Sequence, residues 1–294
     1  MKPAPFDYVI PGSIGEAVSY LANEDIESQI LAGGQSLVPL LNMRMARPEL
    51  LVDLGKLEEL DFIRESEGGG LSVGAMTTKR SVEFSPLAEK AQPLLHAATK
   101  LIAHPQIRNK GTMGGSLAQA DPAAEYPAVA AILDAEIVAV GPDGERSIPA
   151  SEFFITYLTT ALQESELLKE IRFPAMNAAG WSFKEIARRH GDFAMAGAAV
   201  TLDLDSSGHC SDTRVVAFAL GDTPHRVSRV EEAVNGERPS EDLFRQACKH
   251  VADGIEEPLS DVHATAEYRA DLAAVLARRA LGEAVARAEA AGRK

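Results

Sequence analysis

Two short segments with glycine pairs, about eighty residues apart, constrain this chain more than any other feature. The first runs from Ile30 to Leu37 and reads ILAGGQSL, and the second runs from Asn109 to Ala118 and reads NKGTMGGSLA. Glycine reaches positive φ without strain and lets a ligand approach the main chain closely, and clustered N–H groups in such turns bind anions. We therefore expect two sharp loops with free N–H groups. If they face each other, they would clamp the pyrophosphate of a dinucleotide.

Neither segment fits the two best-known phosphate-binding motifs. The chain has no G-x-G-x-x-G opening a helix after a strand and no G-x-x-x-x-G-K-[ST]. An isolated glycine pair at a strand end is most often an ordinary tight turn. The dinucleotide hypothesis therefore depends on both segments together.

Composition excludes several classes of function. The 294 residues suggest two domains, and the net charge of −14 argues against nucleic-acid binding, which needs a basic face. Acidity does not exclude a phosphate-bearing cofactor, because backbone N–H groups can hold one without lysine or arginine. No stretch approaches the roughly 18 apolar residues of a membrane span. The N-terminus has no apolar run of signal-peptide length, and these features predict a cytoplasmic protein.

The chain's two cysteines, Cys210 and Cys248, are far apart in the sequence. They cannot supply an iron–sulfur cluster or a four-cysteine zinc site. A disulfide is one possibility, but two buried thiols in a reducing compartment are favoured. The seven histidines show no H-x-x-x-H spacing, and there is no G-x-S-x-G elbow. Any chemistry is therefore expected to belong to a cofactor rather than to a protein nucleophile or base.

Hydrophobic periodicity outlines the order of elements. A capping box at Ser13-Ile14-Gly15-Glu16 predicts a helix, and the first fifty-odd residues predict a compact β–α–β-like unit. A second capping box is predicted at Ser228-Arg229-Val230-Glu231. The remaining pattern predicts helices at 38–45, 92–102, 122–133, 241–252 and 266–290, strands at 51–54, 71–75, 136–140 and 167–173, and an antiparallel sheet of three strands at 181–187, 198–205 and 215–220. The second glycine loop is placed between two of these helices.

Several polar side chains near the loops suit a dinucleotide. Gln35, Ser36, Thr112 and Ser116 could bond phosphate oxygens, and a carboxylate in the segment Asp121-Pro122-Ala123-Ala124-Glu125 could accept bonds from ribose or adenine. For Asp121 the alternative is a helix N-cap before a proline at the first helical position. Apolar Ile102 and Leu168 could pack on a ring system. Lys184 could reach a flavin or face water.

The order of several motifs resembles one known family. Ala32-Gly33-Gly34-Gln35-Ser36 and Thr112-Met113-Gly114-Gly115-Ser116 closely resemble the two FAD-binding loops of the medium subunit of carbon monoxide dehydrogenase, xanthine dehydrogenase and related molybdenum hydroxylases. The resemblance covers essentially the whole chain. It includes Phe6-Asp7-Tyr8, Gly74-Ala75-Met76-Thr77-Thr78, His104-Pro105-Gln106-Ile107-Arg108, Asp121-Pro122, Gly191-Asp192-Phe193 and Ala266-Glu267-Tyr268-Arg269.

The resemblance implies an α+β chain with the FAD-binding fold of the vanillyl-alcohol-oxidase (PCMH) type. Two α/β subdomains, about 1–55 and 56–176, would form an FAD-binding domain over residues 1–176. Residues 177–294 would form a C-terminal domain of three-stranded antiparallel sheet and helices. The implied function is the FAD-carrying electron-transfer subunit of a molybdenum hydroxylase complex.

In that family a small subunit carries two [2Fe–2S] clusters and a large subunit carries molybdopterin, and the assembly implied here is a dimer of such heterotrimers. Electrons pass from the clusters to FAD and then to an external acceptor, while substrate oxidation takes place in another subunit. Two other functions stay open: a self-contained FAD-dependent reductase on the same fold, and a non-enzymatic nucleotide-binding or assembly module.

The resemblance also implies a set of cofactor contacts. Phe193 stands where the carbon monoxide enzyme has a tyrosine, so the stacking surface is kept and the hydroxyl is lost. Gln35 and Ser116 stand where histidine and asparagine are common, and both can still form hydrogen bonds. The implied contacts are Leu31, Ala32, Gly33, Gly34, Gln35, Ser36, Leu37, Ile102, Ala103, Ile107, Gly111, Thr112, Gly114, Gly115, Ser116, Glu125, Leu168, Lys184 and Phe193.

Overall fold

The computed structural model describes residues 1–292, and its N-terminal part is a small parallel sheet with two helices. The strand order is β1-β3-β2. The predicted capping box forms, since the Ser13 side chain accepts a hydrogen bond from the Glu16 N–H. Its elements are β1 (Asp7–Val9), α1 (Ile14–Leu21), β2 (Ser28–Leu31), α2 (Leu37–Met43) and β3 (Leu50–Asp53).

The central part is a five-stranded antiparallel sheet in the order β4-β5-β10-β6-β7, with helices packed on an apolar core. Single 3₁₀ turns lie at Glu58–Leu60 and Glu67–Gly69. The elements are β4 (Ile63–Glu65), β5 (Leu71–Gly74), α3 (Lys79–Glu83), α4 (Pro86–Ala91), α5 (Pro93–Thr99), α6 (Pro105–Arg108), α7 (Met113–Gln119), α8 (Glu125–Ile132), β6 (Glu136–Gly141), β7 (Gly144–Pro149), α9 (Ala150–Phe153), β8 (Phe154–Thr156), β9 (Thr159–Thr160) and β10 (Leu167–Phe173).

The C-terminal part is an antiparallel sheet in the order β11-β12-β13-β14, covered on one face by the long last helix. On the other face, Phe183 and Phe218 stack with ring centroids 5.2 Å apart and join the core of the central part. The elements are β11 (Gly180–Ile186), β12 (Ala196–Leu204), β13 (Cys210–Phe218), β14 (His225–Arg226), α10 (Ser228–Val234), α11 (Glu241–Ala247), a 3₁₀ turn (Cys248–His250) and α12 (Ala266–Gly292).

Three local predictions need correction. The C-terminal sheet has a fourth strand, β14, whose two residues are too short to give a periodic signal. The helix predicted from residue 122 begins at Glu125. Helix α10 lacks the predicted capping box, because Glu231 instead accepts hydrogen bonds from the Val215 N–H and from Arg226.

Both cysteines are free and buried, as the sequence favoured. Within residues 1–292 no helix is both long and apolar enough to cross a membrane.

Candidate functional site

A cleft of about 1430 Å³ lies where the three parts meet. Its walls come from the β2–α2 loop, the start of α7, the turn before α6, the end of the segment before β10 and the β11–β12 loop. Pockets that bury most of a small ligand run to about 1,000 Å³. This cleft is therefore large enough for an extended dinucleotide.

The first glycine segment offers a row of free backbone donors. The N–H groups of Gly33, Gly34, Gln35 and Ser36 form no hydrogen bond with any other described residue. Gly34 has φ +69°, the left-handed conformation that glycine adopts without strain. The Gln35 amide donates to the Gly33 carbonyl at 2.8 Å and braces the turn. This segment has the geometry of an anion-binding nest, as predicted.

The second glycine segment differs from its prediction. It is not an open loop, because Met113–Gln119 forms helix α7 with the Thr112 side chain as its N-cap. The N–H groups that follow Thr112 are already engaged: that of Met113 donates to the Thr77 carbonyl and that of Gly114 to the Ala75 carbonyl, each at 2.9 Å. The polar groups that this wall offers are therefore the N–H and hydroxyl of Thr112 and the hydroxyl of Ser116.

The structure brings the two glycine segments into direct contact. A Cβ on Gly33 would lie 2.1 Å from the Lys110 carbonyl oxygen and 2.8 Å from the Gly111 Cα. A Cβ on Gly114 would lie 2.6 Å from the Ala75 Cβ. Both glycines are required because backbone or a compact side chain fills the space where their side chains would project.

Most of the predicted contact residues line one cleft. Leu31 is an exception: it lies at the end of β2, and its side chain is 3.4 Å from the Cβ position of Gly34. The predicted residues that line the cleft are Ala32, Gly33, Gly34, Gln35, Ser36, Leu37, Ile102, Ala103, Ile107, Gly111, Thr112, Gly114, Gly115, Ser116, Glu125, Leu168 and Phe193.

The structure does not bring Lys184 into this cleft. Side chains alternate along β11, and Ser182 and Lys184 lie on the face covered by α12, where both contact Glu283. The next residue, Glu185, lies on the opposite face with Phe183. The sequence showed the alternation of this strand but did not show which face the last helix covers.

Two carboxyl groups stand at the start of α8. Glu125 is 6% exposed, and burial raises its pKa, with a smaller rise from Asp121 and an opposing effect from Lys79. Asp121 is not a helix N-cap. Its carboxylate accepts a hydrogen bond from the Ala123 N–H at 2.9 Å, and burial raises its pKa. Both carboxyls line the cleft, so either can accept hydrogen bonds from a ligand's hydroxyls.

Two basic residues that were not among the predicted contacts, Arg108 and Lys79, stabilise the cleft wall. Arg108 is buried and donates to the carbonyls of Ile102 and Ala103 at 2.8 and 3.0 Å, which fixes the turn that lines the cleft. Lys79 lines the cleft itself, and its backbone N–H donates to the Gly111 carbonyl at 2.8 Å. The motif His104-Pro105-Gln106-Ile107-Arg108 was the available signal for Arg108. Lys79 carried none.

Residues 1–292 contain no group of three or more histidine, cysteine or acidic side chains placed to hold a metal ion. The cleft has a row of free backbone N–H groups from Gly33 to Ser36, apolar walls at Ile102 and Leu168, and an aromatic ring, Phe193, at its mouth.

Known proteins with similar sequences show which family this chain resembles. Residues 4–176 match the family profile of the FAD binding domain in molybdopterin dehydrogenase, and residues 181–284 match that of the CO dehydrogenase flavoprotein C-terminal domain. Two curated proteins are each 40% identical over 98% of this chain and 97% of their own length. They are the alpha subunit of the 6-hydroxypseudooxynicotine dehydrogenase complex of Paenarthrobacter nicotinovorans and the caffeine dehydrogenase beta subunit of Pseudomonas sp. strain CBB1.

Among solved structures, carbon monoxide dehydrogenase from Hydrogenophaga pseudoflava superposes with a TM-score of 0.93 at 38% identity. The match covers 98% of this chain and 99% of that one.

Proposed function

The chain belongs to the FAD-binding medium subunits of the molybdenum hydroxylases, and we propose that it is the point at which electrons leave such a complex. In this proposal it accepts electrons from the [2Fe–2S] clusters of a small partner subunit and passes them to an external acceptor. FAD supplies the electron-transfer chemistry. This chain's residues bind the cofactor and shape its surroundings.

The row of free N–H groups in the first glycine segment carries this proposal. Four consecutive donors, from Gly33 to Ser36, can hold a pyrophosphate without any cation, which suits a chain of net charge −14. Across the cleft, Thr112 and Ser116 add hydroxyl donors to the same phosphates. The residues present therefore fit FAD.

We assign the remaining contacts by chemistry and position. Glu125 accepts hydrogen bonds from hydroxyl groups of the cofactor, and Ile102, Leu168 and Phe193 pack against its rings. Ala103 and Ile107 complete the apolar wall, and Leu31 and Leu37 support the first glycine segment. Lys184 is left out of this set because it pairs with Glu283 on the far face of β11.

We also propose the division of the chain and its partners. Residues 1–176 form the FAD-binding domain and residues 177–294 the C-terminal domain. The relatives are named as subunits of dehydrogenase complexes, and two buried cysteines cannot hold an iron–sulfur cluster. The clusters and the molybdenum cofactor therefore belong to a small and a large partner subunit, in a dimer of heterotrimers.

The test is anaerobic reduction of the reconstituted complex followed by visible absorption. We expect the visible absorption bands of the oxidised flavin to bleach when substrate is added to the full complex. They should not bleach when the small subunit is omitted. If the chain alone holds FAD and is reduced directly by an organic substrate, it is instead a self-contained reductase. A chain that takes up no FAD, alone or in the complex, contradicts the proposal.

The exposed ring of Phe193 provides a further prediction. Phe193 is 62% exposed at the mouth of the cleft, so its loss removes contact with the cofactor but little packing within the protein. We expect Phe193→Ala to weaken FAD binding by about threefold to tenfold, the value of one aromatic contact. Phe193→Tyr should bind as the native chain does. Fluorescence titration measures both, and an equal loss in the two variants would contradict a stacking role.

A further inference from the structure

The walls of the cleft carry many acidic groups for a site that holds an anion. Among residues 1–292, seven carboxyl groups line the cleft, and two of them, Glu166 and Asp192, pair with an arginine at 2.7 and 3.2 Å. The five without such a partner are Glu24, Glu27, Asp121, Glu125 and Glu164. Carboxylates at close range repel phosphate. The free N–H groups of the first glycine segment are uncharged dipoles, so they do not remove this repulsion.

Lys79 is the one basic residue of the described chain that lines this cleft. Its side chain is partly buried, and its ammonium lies 5.6 Å from the centroid of the Tyr126 ring. The charge of Glu125 acts on it, but within residues 1–292 the ammonium has neither an ion pair nor a hydrogen-bond acceptor. A cation that has lost water without gaining an acceptor is unfavourable. Lys79 is therefore available to a ligand.

The backbone holds Lys79 where the two glycine segments meet. Its N–H donates to the Gly111 carbonyl at 2.8 Å, and the preceding Thr78 forms an antiparallel bridge with Thr112. A Cβ placed on Gly111 would lie 3.5 Å from the Lys79 Cδ and also 3.5 Å from the Gln35 Cγ. Gln35 belongs to the row of free donors. The stem of Lys79 thus runs past Gly111 beside the first glycine segment.

We propose that the Lys79 ammonium binds the pyrophosphate of the cofactor together with the free N–H groups from Gly33 to Ser36. The N–H groups orient the phosphates, and Lys79 supplies the positive charge that the acidic walls lack. Hydrogen bonds between ionised partners are about twice as strong as neutral ones. This inference rests on the proposed binding of FAD. It explains how a cleft lined by carboxyl groups can select an anion.

The behaviour of Lys79 in the cofactor-free chain supports this assignment. Burial lowers the pKa of Lys79, and the charge of Glu125 opposes this effect without cancelling it. The folded chain therefore disfavours the ammonium form. A bound phosphate favours that form, because opposite charges at close range stabilise each other. Lys79 is thus unfavourable for folding and favourable for anion binding.

The experiment compares the FAD affinity of the full-length native chain with that of Lys79→Met by fluorescence titration. Methionine keeps most of the apolar stem and removes the charge. We expect the affinity to fall about tenfold to a hundredfold, the value of a hydrogen bond to a charged group. Without cofactor, Lys79→Met should unfold at a denaturant concentration no lower than the native chain, because the unpaired charge is gone. Equal FAD affinity in the two proteins overturns the proposal.

Lys110→Met is the matched control. Lys110 lies in the second glycine segment, but its side chain is exposed and does not line the cleft. This variant changes the net charge by the same amount as Lys79→Met, so it should bind FAD as the native chain does. A loss as large as that of Lys79→Met would mean that net charge, and not a contact in the cleft, sets the affinity. That result would also overturn the proposal.

Titration with ADP identifies the part of the cofactor that Lys79 meets. ADP has the adenosine and two phosphates of FAD but no flavin ring, so Lys79→Met should weaken ADP binding by a similar factor. If only FAD binding weakens, Lys79 contacts the flavin and the assignment to the pyrophosphate is wrong. A native chain that binds ADP but no FAD contradicts the proposed function, while the ADP comparison still decides the role of Lys79. A native chain that binds neither contradicts both.

Discussion

Gly33→Val is expected to abolish retention of FAD by the purified chain. A Cβ at this position would lie 2.1 Å from the Lys110 carbonyl oxygen and 2.8 Å from the Gly111 Cα. These are backbone atoms, so they cannot rotate away as the end of a flexible side chain can. The two glycine segments must separate, and the donors at Gly34, Gln35 and Ser36 then no longer face the hydroxyls across the cleft.

The loss of stability should increase with the size of the side chain introduced at Gly33. Gly33→Ala already introduces the clash, and valine adds two methyl groups, so we expect losses of stability in the range of about 1–3 kcal/mol for overpacking. The loss of FAD should be complete on desalting, as followed by absorption. Gly15→Ala is the control, because a Cβ there meets nothing within 4 Å. That variant should keep FAD and gain a few tenths of a kcal/mol from better helix propensity. Retention of FAD by Gly33→Val would exclude the segment contact as part of the site.

The sequence predicted which residues lie around the cleft better than it predicted the local structure of the cleft walls. The glycine pairs and the polar residues that follow them marked both segments, and the first segment has the predicted free N–H groups. The second was wrongly expected to be an open loop. Its donors are engaged because Thr77 and Ala75, which lie about forty residues earlier, supply the accepting carbonyls. Such long-range pairing leaves no local pattern.

The same limit explains Lys184 and Glu185. Alternation along a strand shows that neighbours face opposite ways, but not which face the rest of the fold covers. That choice depends on α12, whose Glu283 pairs with Lys184, and on the central part, against whose core Phe183 packs. The fold class was predicted correctly because the resemblance spans the whole chain. A two-residue strand such as β14 was missed because it is too short to show a period.

Arg108→Leu should have a large effect on stability. The Arg108 side chain is 7% exposed, and it makes hydrogen bonds of 2.9 and 3.1 Å to the Glu83 carboxylate. It also donates to the carbonyls of Ile102 and Ala103. Removing Arg108 leaves the largely buried Glu83 carboxylate with only the half-exposed Arg80 at 3.2 Å, so we expect a cost near the lower end for a broken buried pair, about 3 kcal/mol. Denaturant unfolding of the cofactor-free chain measures this loss.

The variant should also weaken FAD binding, by about tenfold, because the turn at Ala103 has φ +46° and needs its carbonyl partner to stay in place. Arg64→Leu is the control. Arg64 is 61% exposed, and its partner Glu170 keeps Arg172, so the loss should stay below about 1 kcal/mol. If Arg108→Leu costs no more than the control, the buried pair does not position the cleft.

The pH dependence of stability, compared between the native chain and Arg108→Leu, gives an independent check on the Arg108–Glu83 pair. Burial alone would raise the pKa of Glu83, but the hydrogen bonds and charges of Arg108 and Arg80 outweigh burial and lower it. A carboxyl with a lowered folded pKa contributes stability above its unfolded pKa, and this contribution is lost as pH falls through the folded value. The native chain should therefore lose stability between neutral pH and about pH 3 more steeply than Arg108→Leu, which keeps only Arg80 beside Glu83. Parallel acid profiles would mean that Arg108 stabilises the turn through its carbonyl contacts and not through the ion pair.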